Sequence, residues 1–318
     1  MTDAGVRDAR VIMAKEIGRR LLATLMTMLV FAAAVFLSEE MGGYVTEGLR
    51  LAITRVIPTA VPFMLISDIF RALVSTEDVP LIGVLGRLFG LSRASATALL
   101  PGNACGFPLG GKLTSELYHD GVIARDEAER LIAYSSNPSP SFVIAAVGGG
   151  MLGDSKLGIM LLICIYLATL LSAQFFRSNT GNVLYSPKNT RQKYDFVLSV
   201  RSAGTACLSL TGFIVTFSVI SGIIEGYVSY KPLKAILIAI TEVTGASNYF
   251  ALEAGLSTPL ALAAVAFSLG FGGLSVLFQT AGFAKGAELS MRKYFVIKLV
   301  EGIFSAGLAL VGYHLFFI

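Results

Sequence analysis

The sequence predicts an all-α polytopic membrane protein made of two inverted-topology repeats, each with a re-entrant helical hairpin and a discontinuous transmembrane helix. Three observations carry that expectation. Of 318 residues, 54% are hydrophobic and 14% charged, against about 25% charged in a soluble domain. Mean hydropathy is +0.72, so a water-soluble fold would lack polar surface to cover itself. Pro and Gly clusters interrupt apolar runs that would otherwise be straight spans, and one order of segments recurs in the second half. Composition excludes a disordered chain, a secreted disulfide scaffold and an ordinary soluble enzyme.

The chain opens on a basic segment, with Arg7, Arg10, Lys15, Arg19 and Arg20 before the apolar run 21–37. That run is longer than a signal-peptide core and no small-x-small site follows, so it reads as a first membrane helix with a cytoplasmic N-terminus. Residues 1–42 hold this part. A first repeat, 43–154, contains a long stretch from 48 to 74, kinked by Pro58 and Pro62, and a piece from 81 to 89 too short to span about 30 Å. It then carries a predicted re-entrant hairpin over 93–118. Pro101, Gly102, Gly106, Pro108, Gly110 and Gly111 put six breakers into eleven residues there, too many for a straight helix. The span 131–152 is broken at 135–140. Residues 155–196 comprise an uninterrupted helix and a basic loop, read as cytoplasmic.

The second repeat, 197–318, offers a long stretch (203–224), a short one (233–244), a predicted hairpin over 257–285 around Gly270, Gly272 and Gly273, and a basic stretch (285–298) before the last span. Three crossings between the repeat starts would invert the second copy. About six full crossings with both termini cytoplasmic result. Lys285, Arg292, Lys293 and Lys298 then begin on the outer side, against the positive-inside rule.

Chemistry is expected at the breaks, where backbone groups must meet a helix, water or a ligand. Asn103 and Lys112 flank the first tip. Ser135, Ser136, Asn137 and Ser139 surround Pro138 and Pro140, which remove two donors and free the carbonyls a turn earlier. Those side chains either bind a ligand or rescue the carbonyls. Lys112 suits a substrate carboxylate, a headgroup, or Glu116 four residues on. Gly272, Gly273 and Ser275, with Gln279 behind, form the expected second tip. Glu242, a carboxylate in an apolar run, suits a coupling H⁺ or Na⁺, or snorkelling. Cys105, Cys164 and Cys207 lack metal-ligand spacing, His119 and His314 lie far apart, and no hydrolase signature occurs. The expectation is a non-enzyme without metal or cofactor.

The segments 102–113, 117–131 and 136–142 resemble the YlbJ-type sporulation integral membrane proteins, whose pattern is roughly Gly-Tyr-Pro-x-Gly-Ala-Lys, a Gly-x-Ile-x-x-x-Glu-Ala turn and an Asn-x-Ser-Gly-Pro-x-Phe break. Glu242-Val243-Thr244-Gly245 and 271–276 with Gln279 are similar to later motifs. Here Pro138-Ser139-Pro140 departs from x-Ser-Gly-Pro, and Leu109 and Gly110 alter the first tip. That family belongs with the nucleoside-recognition Gate proteins, similar in fold to concentrative nucleoside transporters. The resemblance implies binding positions at Asn103, Lys112, Asn137, Ser139, Thr244, Ser275 and Gln279. It implies transport of a small polar or anionic solute by alternating access, with dipicolinic acid in endospore formation first. A nucleoside transporter and a non-transporting sporulation assembly factor are the alternatives. Expected partners are the solute, membrane lipids and a coupling H⁺ or Na⁺, with a homo-oligomer left open and nucleic acid excluded by a net charge of only +4. The expected place is the bacterial cytoplasmic membrane, or the outer forespore membrane in a spore former.

Overall fold

A computed structural model describes residues 35–73, 80–178 and 194–317, together with 16, 19–21, 23–28 and 31–32. Most of the predicted N-terminal basic segment and of the basic loop, and residues 22, 29, 30, 33 and 34 of the predicted first membrane helix, therefore lie outside the described residues. The described chain is helical, without a strand. It begins with α1 (Ser38–Leu51) and α2 (Ile57–Leu73), joined by a π-helical turn at Ala52–Val56. After α3 (Pro80–Phe89) come α4 (Arg93–Cys105), α5 (Leu109–His119), α6 (Arg125–Tyr134), a π-helical segment Phe142–Met151 and α7 (Ser155–Phe175). The second half holds α8 (Phe196–Tyr227), α9 (Lys231–Thr241), α10 (Val243–Asn248) with a π-helical turn Tyr249–Glu253, α11 (Thr258–Phe271), α12 (Gly273–Gly286) and α13 (Met291–Phe317).

Among the described residues, four helical stretches are long and apolar enough to cross a membrane: α7, α8, the run Thr258–Gly286 and α13. Their outer surfaces suit lipid. Ile159, Ile163, Leu167 and Leu171, each one turn apart along α7, are exposed, forming an apolar stripe that water would not tolerate. Polar residues instead turn inward, where Asn137, Ser172, Ser268, Lys298 and Ser305 have no exposed surface.

The helix ends follow local chemistry. Ser92 caps α4 by accepting the Ser95 N–H at 3.2 Å, and Asp154 and Asp195 cap α7 and α8 in the same way. Gly106, at φ +81°, ends α4 in a conformation that a side chain would oppose. The chain then returns along α4 as α5, so 93–118 is a helix pair with its tip at 106–108. Helix α6 stops at Tyr134 and helix resumes at Pro140, because Pro138 and Pro140 cannot donate to carbonyls four residues earlier.

The predicted hairpin over 257–285 folds differently. Gly272 and Gly273, at φ +81° and +75°, break the helix, and its two halves take different partners. Helix α11 lies along α13, while α12 packs on α5 and α8. The chain that folds back beside this break is instead α9 with α10 and its π turn, hinged at Glu242, whose backbone is extended (φ −151°, ψ 133°).

Candidate functional site

Breaker-rich sequence lets the first tip touch the first break backbone to backbone. A Cβ on Gly106 would lie 2.5 Å from the Ser139 nitrogen, and one on Gly102 2.6 Å from the Ser135 carbonyl oxygen. Asn103, on the last turn of α4, is thereby brought to the end of α6. Its Nδ2 donates to Leu99 O at 2.8 Å and to Tyr134 O at 3.1 Å. Tyr134 O is the carbonyl that Pro138 leaves without a helical donor, and Asn137 Nδ2 approaches it too, at 3.4 Å. Carbonyl rescue is thus one real function of this asparagine pair.

Rescue does not account for the rest of the cluster. Asn137 Nδ2 also donates to Asn103 Oδ1 at 2.8 Å and Thr169 Oγ1 at 3.1 Å. Its Oδ1 accepts from Lys298 Nζ at 2.8 Å, and Lys298 Nζ lies 2.5 Å from Glu301 Oε2. A lysine can only donate, so it fixes which way the Asn137 amide points. Lys298 and Glu301 are 0% and 1% exposed, about two to three turns into α13. Glu301 Oε1 and the hydroxyls of Ser136, next to Asn137, of Ser172, on the helix of Thr169, and of Ser305, four residues beyond Glu301, are buried without a hydrogen-bond partner among the described residues. A buried, half-satisfied polar network in an apolar helix bundle is costly, and such sites answer to water, ions or polar ligands.

The other predicted residues divide into separate neighbourhoods. Ser275 and Gln279 are buried on one face of α12, with Gln279 Nε2 donating to Ser275 Oγ at 3.0 Å. The break before them meets the second turnback: a Cβ on Gly273 would lie 3.1 Å from Thr241 O, and one on Gly272 3.6 Å from the Phe107 ring of the first tip. Glu242 uses its carboxylate to cap α10, accepting the Gly245 N–H at 2.6 Å; Thr244 is half-buried in the next turn. Ser139 turns to its own helix, pairing with Ser141 Oγ at 3.1 Å and accepting from the Phe142 N–H at 3.3 Å. Lys112 is 3.3 Å from Asp68 and 3.7 Å from Glu116. It borders a pocket of about 400 Å³ shared with Ser115, Glu116, His119 and Asp120, apart from the Asn137 network.

Lys298 and Glu301 were missed by the sequence reading, which ended the basic stretch at Lys298. Their three-residue spacing within a run otherwise able to span was the available signal.

A second charged cluster clasps α6 to the start of α13. Lys293 Nζ lies 2.6 Å from Asp126 and 3.1 Å from Glu129, while Arg125 bonds Glu129 at 3.1 Å and donates to Glu288 O at 2.9 Å. The Lys293 hydrogen bond holds the Asp126 carboxyl below its ordinary range, overcoming partial burial. A lowered folded-state value contributes stability that is present above the ordinary carboxylate range and fades as pH falls through the lowered one. Lys293→Gln should therefore lower Tm at neutral pH by an amount worth about 1 kcal/mol, the scale of a partly exposed pair. The gap from wild type should close in strong acid, as thermal melts across pH would record.

No family model matches the chain, and no solved structure matches it. It is 26% identical to the sporulation integral membrane protein YlbJ of Bacillus subtilis (strain 168), an alignment covering 87% of this chain and 79% of that protein. With the four apolar spans, that similarity makes the chain a multi-pass membrane protein.

Proposed function

We propose that this chain moves a small polar or anionic solute across a membrane by alternating access, with dipicolinate in endospore formation as the leading candidate. The supporting observation is the buried network of Asn103, Asn137, Thr169, Lys298 and Glu301, which joins a helix-pair tip, a helix break and two spans. Polar groups at this depth suit a solute that must leave water. Asn103, Ser136 and Asn137 would hold it from one side. Ser275 and Gln279, beyond the Gly272–Gly273 break, would meet it from the other.

Element order favours a mirrored pair of repeats, each a helix pair, an interrupted helix and a long helix. The first is α4–α5, α6 with its π segment, and α7; the second is α9–α10, α11–α12 and α13. In this register α9–α10 is the second hairpin, hinged at Glu242. Residues 257–285 then become the discontinuous helix, one element later than the sequence pattern placed them. Each break sits against the tip of its own pair, so tilting one pair would open one side of the buried network. The likeness to a sporulation integral membrane protein supports a role in spore formation, the setting in which dipicolinate and a forespore membrane are proposed.

Labelled solute uptake into proteoliposomes tests this. Dipicolinate should enter, excess uridine should not compete, and Asn137→Ala should cut the rate at least tenfold. Competition by uridine would favour a nucleoside instead, and no flux of either would favour the assembly-factor reading. Lys112, already ion-paired, should matter less: an unchanged dipicolinate flux in Lys112→Gln would remove it from the binding set.

A further inference from the structure

Resting on the transport reading above, we propose that Glu301 is the proton site of the cycle and that Lys298 is the cation its protonation frees to meet the solute's carboxylate. The two side chains are fully buried and bonded at 2.5 Å. Removing an ion pair from water costs several kcal/mol per ion, and only good geometry offsets it. Here the offset is incomplete, because Glu301 Oε1 has no partner. That oxygen is where a proton would add. Ser305, one turn further along α13, and Ser172, one turn beyond Thr169 on α7, also carry buried hydroxyls without a hydrogen-bond partner among the described residues.

Charge balance then couples proton and solute. A proton from water forms one O–H bond at Glu301 Oε1, the Lys298 ammonium keeps its protons, and the pair changes from neutral to a charge of +1. An isolated buried cation is unfavourable, so the protonated state gains by taking in an anion. Binding must be reciprocal: protonation raises anion affinity, and the anion raises proton affinity. Lys298 already reaches Asn137 Oδ1 at 2.8 Å, which directs it to the break where the solute is placed.

Other titratable groups around α13 are few. Helix α11 supplies none, and α7 supplies Cys164 and Tyr166, with Lys156 exposed at its start. Helix α12 has only exposed Lys285. From α6, buried Tyr134 feels the charges of Arg130, Glu301 and Asp126. Buried Tyr294 on α13 itself feels it too, and Lys293 is engaged by Asp126 and Glu129. Arg125, Glu127 and Glu129 complete α6, bound at the clasp or to the Ser92 N–H. Glu301 is thus the one carboxyl among these placed beside an ammonium in the buried network.

Infrared difference spectra between acid and neutral pH, on the detergent-solubilised full chain, read the proton site without any solute. A carboxylic-acid C=O band should appear on acidification and vanish in Glu301→Gln. In Lys298→Arg, which keeps a cation in place, its pH midpoint should move. A spectrum unchanged by Glu301→Gln, or a midpoint unmoved by Lys298→Arg, overturns the proton site. Calorimetry with dipicolinate reads the coupling. Wild-type affinity should rise about tenfold per pH unit lowered over that titration. Glu301→Gln should bind at the acid-limit affinity at every pH, and a persisting pH dependence there overturns the coupling. If wild type binds no dipicolinate at any pH, the solute reading and the role of Lys298 fall, while the infrared band alone decides the proton site.

Discussion

Gly110→Ala should abolish the folded protein. A Cβ at Gly110 would stand 1.9 Å from the Ser135 carbonyl oxygen, 2.4 Å from its carbon and 2.7 Å from its Oγ. Two of those atoms are backbone, so no rotamer change relieves the overlap. Either α5 retreats from the break or the break unwinds further, and both undo the contact that carries Asn103 to Tyr134 O. Overpacking by a methyl in a core usually costs about 1–3 kcal/mol, and a fixed-backbone clash exceeds the upper end. The expected readout is loss of the monodisperse peak in size exclusion and of the thermal transition in detergent. Gly212→Ala on α8 is the control. A Cβ there meets nothing within 4 Å, and alanine is favoured over glycine in a helix by roughly 0.5–1 kcal/mol, so Tm should hold or rise.

Lys298→Met should be the most damaging change in the charged interior. It leaves the Glu301 carboxylate 1% exposed with its cation removed, and breaking a buried pair from one side typically costs about 3–5 kcal/mol. Asn137 Oδ1 loses its donor as well. Glu301→Gln should cost less, since a neutral oxygen still faces the ammonium. The double variant Lys298→Met/Glu301→Gln removes both charges and should recover most of the stability lost by Lys298→Met. Tm or chemical denaturation of all four proteins completes the cycle. Independent, additive losses would mean that the two groups do not act as a pair.

Several parts of this arrangement were legible one segment at a time. The breakers at 101–111 predicted a re-entrant hairpin; what the structure shows there is two packed helices, Arg93–Cys105 and Leu109–His119, joined at Gly106. Pro138 and Pro140 predicted freed carbonyls beside short polar side chains that either bind a ligand or rescue them; Asn137 does approach Tyr134 O, and Asn103, from the first tip, donates to it. Register between the two halves was harder to read. Gly272 and Gly273 carry the same residue type as the first tip, but a glycine break looks alike whether the following helix turns back or moves on to new neighbours. Glu242 looked like a coupling carboxylate because an apolar run surrounds it, whereas a cap differs from an ion site only in which N–H lies within reach.

Hydrophobic runs and the Pro and Gly interruptions in them are properties of neighbouring residues, so composition and spacing alone determined a helical membrane protein whose helices break at those residues. Which polar groups share a buried network is not such a property. Lys298 finds Asn137 across 161 positions of chain, and Thr169 and Asn103 join from two further helices. A buried charge survives only where partners converge from several directions, and only the packed bundle decides where that convergence occurs.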